Sequence, residues 1–320
     1  MQTPINLPLA RAAIDRNSEI RSDATQISAL VSSPEACALL LSADMVLADS
    51  QSAGLRLVRV QGLTDVDLGT PLAFLGKTLS AEAGVAEGSP VFLFDLTDAQ
   101  RSRLEKTKHA ESSDWIHLRR SGQGLSDRDA GLVTQALALA NWHRGHEFCS
   151  VCGSPSDISA AGWSRTCGKC GKEVFPRNDP AIIVAITDDE DRILLGSQGA
   201  WEQNRWSILA GFVDAGETLD DAVKREMFEE AGLVVTELEF LGSQPWPFPY
   251  SLMLGFSARA RGGQQLRPDG IEIAKLRWFS RDELRVESPH MLLPGKVTIS
   301  RAMIEHWLGE PLRDSSETPA

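Results

Sequence analysis

Three glutamates past the middle of the chain, Glu226, Glu229 and Glu230, stand at i, i+3 and i+4 in a stretch with helical signals, Leu219 to Ala231. Thr218 is a good N-cap, Asp220 and Asp221 fall in the first turn where the helix dipole favours negative charge, and Gly232 supplies the stop. Leu219 and Val223 mark the buried face. At about 100° per residue, Glu226 and Glu230 lie only about 40° apart on that same face. Unpaired carboxylates are costly to bury there. A divalent cation resolves the conflict, because hard Mg2+ or Mn2+ takes carboxylate oxygens and completes its shell with water and phosphate. The alternative for these residues alone is an ordinary acidic helix with Arg225 in surface salt bridges.

A second cluster precedes it. Cys149-x2-Cys152, fourteen intervening residues, then Cys167-x2-Cys170 is the two-knuckle spacing that lets four thiolates converge on one tetrahedral Zn2+. Gly153, Gly168 and Gly171 fall where the chain must turn around the sulfurs. Two disulfides, four unrelated thiols or an iron site are the alternatives, and a cytosolic chain disfavours the disulfides. Four protein ligands leave no open position, so this zinc would hold a small ribbon together rather than catalyse. The fifth cysteine, Cys37, sits in the run Ala-Cys-Ala-Leu-Leu-Leu and reads as a small buried hydrophobe.

The elements that must position these groups follow from periodicity. Short strands are expected over Met45–Leu47, Leu55–Val60, Pro71–Leu75 and Pro90–Leu96, then a linker helix over Asp127–His143. Past the cysteines, Ala181–Thr187 and Arg192–Leu195 read as a hairpin, followed by a strand over Arg205–Leu209 and the glutamate helix. Strands over Val234–Leu241, Leu252–Ala260 and Ile273–Phe279 come next, with closing helices near Arg281–Leu284 and Thr298–Leu308. This alternation predicts an α/β (α+β) fold with a mixed sheet and helices packed on it. The expected organisation is an N-terminal α/β domain over 1–143, the ribbon over 144–175, a third domain over 176–313 and a polar tail at 314–320.

Composition narrows the function classes. The 320 residues carry 32 Lys plus Arg against 44 Asp plus Glu, a formal charge of −12. That disfavours broad attraction to phosphate backbones or anionic membranes, so a phosphorylated substrate must be neutralised locally. No stretch approaches the roughly 18 to 20 apolar residues of a membrane span, and neither a secretory start nor a lipidation signal is present. The cytoplasm is the expected compartment, with no membrane partner.

With its glycines, the glutamate helix fits a longer pattern. Gly211, Glu217, Arg225, Glu226, Glu229, Glu230 and Gly232 match Gly-x5-Glu-x7-Arg-Glu-U-x-Glu-Glu-x-Gly-U at every fixed position. This stretch resembles the Nudix hydrolases, which cleave a nucleoside diphosphate linked to another moiety. The resemblance implies an α/β/α sandwich, with Glu226 and Glu230 as the main metal ligands and Glu229 as a further ligand or the base acting on water. It also implies that Ala210 offers a backbone carbonyl and that Glu217 and Arg225 brace the carboxylates.

Ten residues past this pattern comes Ser243-Gln244-Pro245-Trp246-Pro247-Phe248-Pro249-Tyr250-Ser251-Leu252-Met253. Three alternating prolines make it stiff, extended and unfit for a central strand. Its aromatics could stack on flat rings or merely cover the core. The string is similar to the Ser-Gln-Pro-Trp-Pro-Phe-Pro-x-Ser signature of the NADH pyrophosphatase branch, which also carries an N-terminal domain and a four-cysteine ribbon. That resemblance implies hydrolysis of NADH or NAD+ to NMN(H) and AMP with two or three Mg2+ or Mn2+ ions, and removal of NAD caps from RNA 5′ ends. It places substrate contacts at Ser243–Ser251, Met253 and Ser300, and a further metal-binding carboxylate at Glu272. Phe212 and Phe175, the latter replacing the branch's usual Tyr, would stack on the dinucleotide rings. Gly162 stands beside Trp163 where an acidic contact is expected. A homodimer is implied, with Trp246 of one subunit completing its neighbour's pocket. Competing readings keep the hydrolase with ADP-ribose or another nucleotide as main substrate, or make the chain a non-enzymatic nucleotide sensor, which an incomplete glutamate set would favour.

Overall fold

The computed structural model describes residues 5–52 and 54–313; the tail expected at 314–320 lies outside the described residues. The chain forms two compact units, one over Leu9–Asn178 and Trp246–Tyr250, the other over 5–8, Asp179–Pro245 and 251–313.

The first unit is built on β1 (Ile14–Asp15), β2 (Cys37–Ser42), β3 (Met45–Asp49), β4 (Val58–Arg59), β5 (Ala73–Thr78), β6 (Pro90–Asp95) and β7 (Ser113–His117). They form one sheet in the order β1-β5-β6-β2-β3-β7, with β4 also paired to β2. Four helices accompany them: α1 (Ala24–Val31), α2 (Asp98–Leu104), α3 (Leu118–Ser121) and α4 (Asp127–Gly145). Side chains alternate across a strand, so Cys37, Leu39 and Leu41 join α4 in one apolar cluster while Ala38 and Leu40 join α1 and α2 in another. Ser126 caps α4 by accepting from the Asp129 N–H. The expected linker helix is therefore a core helix, buried along most of its length, and four of its buried polar side chains are bonded inside the protein: Arg128 to the Glu82 carbonyl, Asp129 to the Leu55 N–H, Gln135 to the Leu75 carbonyl and His143 to the Gly162 carbonyl. Cys37 is fully buried, as its run suggested. Then β8 (Ser156–Ser159), β9 (Ser164–Cys167) and β10 (Glu173–Val174) make the small antiparallel sheet of the ribbon, in the order β10-β9-β8.

The second unit carries β11 (Asp179–Thr187), β12 (Ile193–Gln198), β13 (Leu209–Phe212), α5 (Leu219–Ala231), β14 (Val235–Trp246), β15 (Ser251–Ala260), β16 (Ile273–Phe279), α6 (Arg281–Glu287) and α7 (Ile299–Leu308). The sheet order is β14-β15-β11-β12-β16, with β13 paired to β11. From Ala181 to Ile186 β11 is an unbroken apolar run because both faces are covered there. Ile182, Val184 and Ile186 meet Ala222, Val223 and Met227 of α5, while Ile183 and Ala185 meet Leu284 of α6 and Ile299 and Met303 of α7.

Three expectations shift. The hairpin is slight: β11 and β12 share only the Thr187–Ile193 pair, and their long partners are β15, parallel, and β16, antiparallel. The strand expected at Arg205–Leu209 forms three to four residues later, at Leu209–Phe212, because Ala210 and Gly211 pair with Ile183 and Ile182 of β11. β14, expected to end at Leu241, runs on to Trp246 and takes in Pro245, which it tolerates as an edge strand, in keeping with prolines unfit for a central one.

Candidate active site

The glutamate helix begins and ends where its caps dictate. Thr218 accepts from the Asp221 N–H, and Gly232 adopts the left-handed conformation at φ 70° while its N–H bonds back to Phe228. This fixes the rotation of α5. Glu230 then lies 4% exposed, the Glu226 carboxylate 14%, and the Glu229 carboxylate 58%, at the rim.

Arg225 ties the acidic groups together. Its Nε and Nη2 donate to the two Glu217 carboxylate oxygens at 2.8 Å each, and its Nη1 donates to Glu226 Oε1 at 2.9 Å and Glu229 Oε2 at 3.1 Å. Nη2 also donates to the Phe212 carbonyl at 3.0 Å, and the Asp214 N–H donates to Glu217 at 3.0 Å. One guanidinium thus fastens the loop after β13 to the helix. Its Glu217 bonds push Arg225 further up, and they hold the Glu217 carboxyl down at about 2.

Glu230 receives none of this cation. Its Oε2 is buried without a hydrogen-bond partner. Burial first, then the charges of Glu226, Glu272, Asp269 and Glu229, push its carboxyl up to about 8. Burial also raises Glu226, against the pull of Arg225. Gly211 of β13 completes the cradle, since a Cβ there would sit 2.0 Å from the Glu226 carboxylate carbon. An orphaned oxygen, clustered carboxylates and a glycine-lined approach suit a hard divalent cation, which needs oxygen ligands and room for water.

Glu272 is exposed at the start of β16, and its charge reaches both Glu226 and Glu230. Sequence reasoning missed Asp269, whose carboxylate accepts from the N–H groups of Ile271, Glu272 and Ile273 and so shapes the turn that carries Glu272. Pro268-Asp269-Gly270 was its available signal, a turn tripeptide. In the same unit, Ala210 pairs with Ile183, Phe212 is 59% exposed, and the Ser300 hydroxyl bonds the Ser207 hydroxyl at 2.8 Å. The Gln244 amide is buried and donates to the Val297 carbonyl at 3.0 Å. Ser243 and Pro245 lie on β14; Ser251 and Met253 pair with Asp179 and Ala181.

Trp246, Pro247, Phe248, Pro249 and Tyr250 group instead with the first unit. So does Phe175, 65% exposed. Gly162 has no room for an acidic side chain: at φ +89° its Cβ would fall 2.3 Å from the Leu72 carbonyl oxygen. Its own carbonyl contacts His143 Nε2 at 2.8 Å, and the Trp163 indole donates to the Phe74 carbonyl at 2.8 Å.

The four cysteines converge. Cys149 and Cys170 sulfurs are 3.6 Å apart, those of Cys152 and Cys167 3.5 Å, and all four lie within 4.8 Å of one another. All are free thiols, spaced well beyond the about 2.05 Å of a disulfide bond. Sulfurs around a tetrahedral zinc at about 2.3 Å stand about 3.8 Å apart, so the cluster fits that ion. The knuckles repeat one pattern: Gly153 and Gly171 N–H groups bond the Cys149 and Cys167 carbonyls at 2.9 Å. The Ser154 N–H, with its hydroxyl, brings the Cys152 thiol down to about 6.

Comparison with known proteins agrees with this layout. Residues 35–142 match the NADH pyrophosphatase-like rudimentary NUDIX domain, 144–175 the NADH pyrophosphatase zinc ribbon domain, and 177–303 the NUDIX domain. The chain is 43% identical over 202 residues to the NAD-capped RNA hydrolase NudC of Mycobacterium bovis (strain BCG / Pasteur 1173P2), across 60% of this chain and 64% of that protein. It is 41% identical over 182 residues to the NAD-capped RNA hydrolase NudC of Salmonella paratyphi C (strain RKS4594), across 56% of this chain and 68% of that one. The match thus spans somewhat under two thirds of the mycobacterial relative. A crystal structure of a NUDIX hydrolase from Nitrosomonas europaea aligns at 24% identity and TM-score 0.41, covering 52% of this chain and 95% of that one. With its NADH pyrophosphatase-like domain, zinc ribbon and NUDIX domain in succession, the chain belongs to the NUDIX hydrolase family, in the NADH pyrophosphatase branch.

Proposed function

We propose that this protein is a metal-dependent pyrophosphohydrolase that cleaves NADH and NAD+ to NMN(H) and AMP, and that it removes NAD caps from RNA to leave a 5′-monophosphate. The observation that carries the reading is the buried, unpartnered Glu230 oxygen among carboxylates that Arg225 braces. Glu226, Glu229, Glu230 and Glu272, with the Ala210 carbonyl, would hold Mg2+ or Mn2+. When bound, such ions neutralise the diphosphate and lower the pKa of water.

The chain's own residues do the rest. Glu217 and Arg225 keep the loop after β13 against α5, so the carboxylates are set before substrate arrives. Glu229, at the exposed rim, serves as a further metal ligand or as the base that takes the proton of the attacking water. Water adds to one phosphorus, the bond to the bridging oxygen breaks, and two monophosphates leave. Phe212 and Phe175 supply exposed rings for stacking, and the Ser243–Ser251 segment, Met253 and Ser300 supply further substrate contacts. A net charge of −12 does not oppose a capped RNA, because only the cap need enter.

One structural Zn2+ per chain fits the cysteine cluster. The functional divisions are 1–143, 144–175 and 176–313. Two copies form a homodimer in which half-buried Trp246 is shared, and a monomeric sedimentation coefficient overturns that. No helix among the described residues is long and apolar enough to cross a membrane, and a cytoplasmic site of action matches four free thiols gathered for zinc. The deciding experiment is product analysis of NADH, NAD+ and NAD-capped RNA with Mn2+, beside Glu230→Gln. Release of NMN(H) by the wild type alone supports the reading. Intact substrates turn it toward ADP-ribose or a sensor.

A further inference from the structure

The segment Trp246–Tyr250 cannot hold its own shape. Pro247 and Pro249 have no N–H to give, and the Phe248 N–H is engaged locally, on the Trp246 carbonyl at 2.8 Å. Its form is set by side chains of the N-terminal unit. Asn141 of α4 donates through Nδ2 to the Pro247 carbonyl at 2.9 Å and the Pro249 carbonyl at 3.4 Å. The Arg119 guanidinium, on α3, lies 4.2 Å from the Phe248 ring centre and 5.5 Å from that of Trp246. His117, at the end of β7, stacks on Phe248 at 5.6 Å and 12°. Trp246 and Phe248 meet edge-on at 5.0 Å, and both rest on the apolar cluster beneath α4.

Arg119 is exposed and has no carboxylate partner among the described residues, although the chain carries twelve more acidic than basic side chains. Among the described residues its guanidinium lies over the two rings. A planar cation on aromatic faces fixes their orientation. We propose that Arg119 and Asn141 are positioning residues for dinucleotide recognition, clamping the Pro-rich loop so that Trp246 and Phe248 are held in one orientation for contact with a base of the substrate. This rests on the pyrophosphohydrolase reading above.

The test is steady-state hydrolysis of NADH by the full chain with Mg2+, comparing wild type with Arg119→Ala, Arg119→Lys, Asn141→Ala and Arg120→Ala. Arg120 is the exposed neighbour with no ring beneath it, so it removes the same charge without touching the clamp. Arg119→Ala and Asn141→Ala should each raise KM about fivefold or more while kcat stays within about twofold, the signature of lost binding rather than lost chemistry. Arg119→Lys should recover part of the affinity, and Arg120→Ala should keep the wild-type KM. Wild-type KM in both clamp variants overturns the proposal, and so does an equal rise with Arg120→Ala, which would mean general charge attraction. If Arg119→Ala fails to fold, Asn141→Ala carries the test alone. An inactive wild type sinks the pyrophosphohydrolase reading and this proposal with it, whereas an active wild type with unaffected variants sinks only the clamp.

Discussion

Each of the two layered units buries one acidic side chain on a helix that packs against its sheet, and the two side chains are treated in opposite ways. Asp129 of α4 is 1% exposed, yet every demand is met: Oδ2 accepts from the Leu55 N–H at 2.7 Å and Oδ1 from Arg128 Nε at 2.8 Å. Glu230 of α5 is about as buried, but the arginine of its helix is engaged by Glu217, Glu226 and Glu229, and one carboxylate oxygen is left without a partner. Burial raises both carboxyls. A buried carboxylate with both oxygens bonded inside the protein is architecture, whereas a buried carboxylate oxygen without a partner, set among other carboxylates, suits a cation. Similar layering therefore carries a fully bonded buried carboxylate in one unit and a cluster of carboxylates around an unpartnered oxygen in the other.

The comparison is broken most severely through Glu230. Glu230→Gln should lower NADH turnover about a thousandfold or more while leaving the metal-free protein at least as stable, because the ionised form is the costly one. Product analysis and urea unfolding check both halves, and a large loss of stability would erase the contrast. Asp129→Ala should do the reverse, costing about 3–5 kcal/mol by stranding Arg128, with the activity of the folded fraction retained. Gly211→Ala should cut kcat about 10- to 100-fold, as changes that displace a ligand's support do, since the new methyl must push Glu226 aside; metal titration would show weaker Mn2+ affinity.

The smallest effect is one of pH. The folded Glu230 carboxyl, at about 8 against an ordinary value of 4.5, keeps a proton that the unfolded chain releases. Metal-free stability from this group should therefore fall as pH rises from 4.5 to 8 and level off above. Mg2+ favours the ionised form, so its stabilising shift should grow over that window. Melting curves at pH 5 and 8, with and without Mg2+, test this, and Glu230→Gln should flatten the difference.

How much of this was legible in the sequence depended on how local each signal was. Helix α5 and strand β16 lie where the residues place them, since caps, period and turn signals sit within the elements. The burial of Glu230 was legible from its angle to Val223 alone. Strand β13 was displaced because its pairing with β11 is a long-range choice, and Gly211 hides a strand behind poor strand propensity. The zinc cluster was written in spacing. Asp269 went unread because a turn aspartate looks like any other until its three backbone donors are seen. Arg119 was invisible, since its rings arrive from residues more than a hundred positions away.

The path of the chain between the units has its own consequence. Leu7 packs in the same core as Met303 and Leu308 and touches the position where a Gly242 Cβ would stand, while Leu9, two residues on, belongs to the other unit. The chain then crosses again at Asn178–Asp179 and returns for Trp246–Tyr250. Neither unit is a continuous piece of the gene. A fragment beginning at Asp179 would expose the seat of Leu7 and leave the loop at Trp246 without the Asn141 hydrogen bonds that hold its carbonyls.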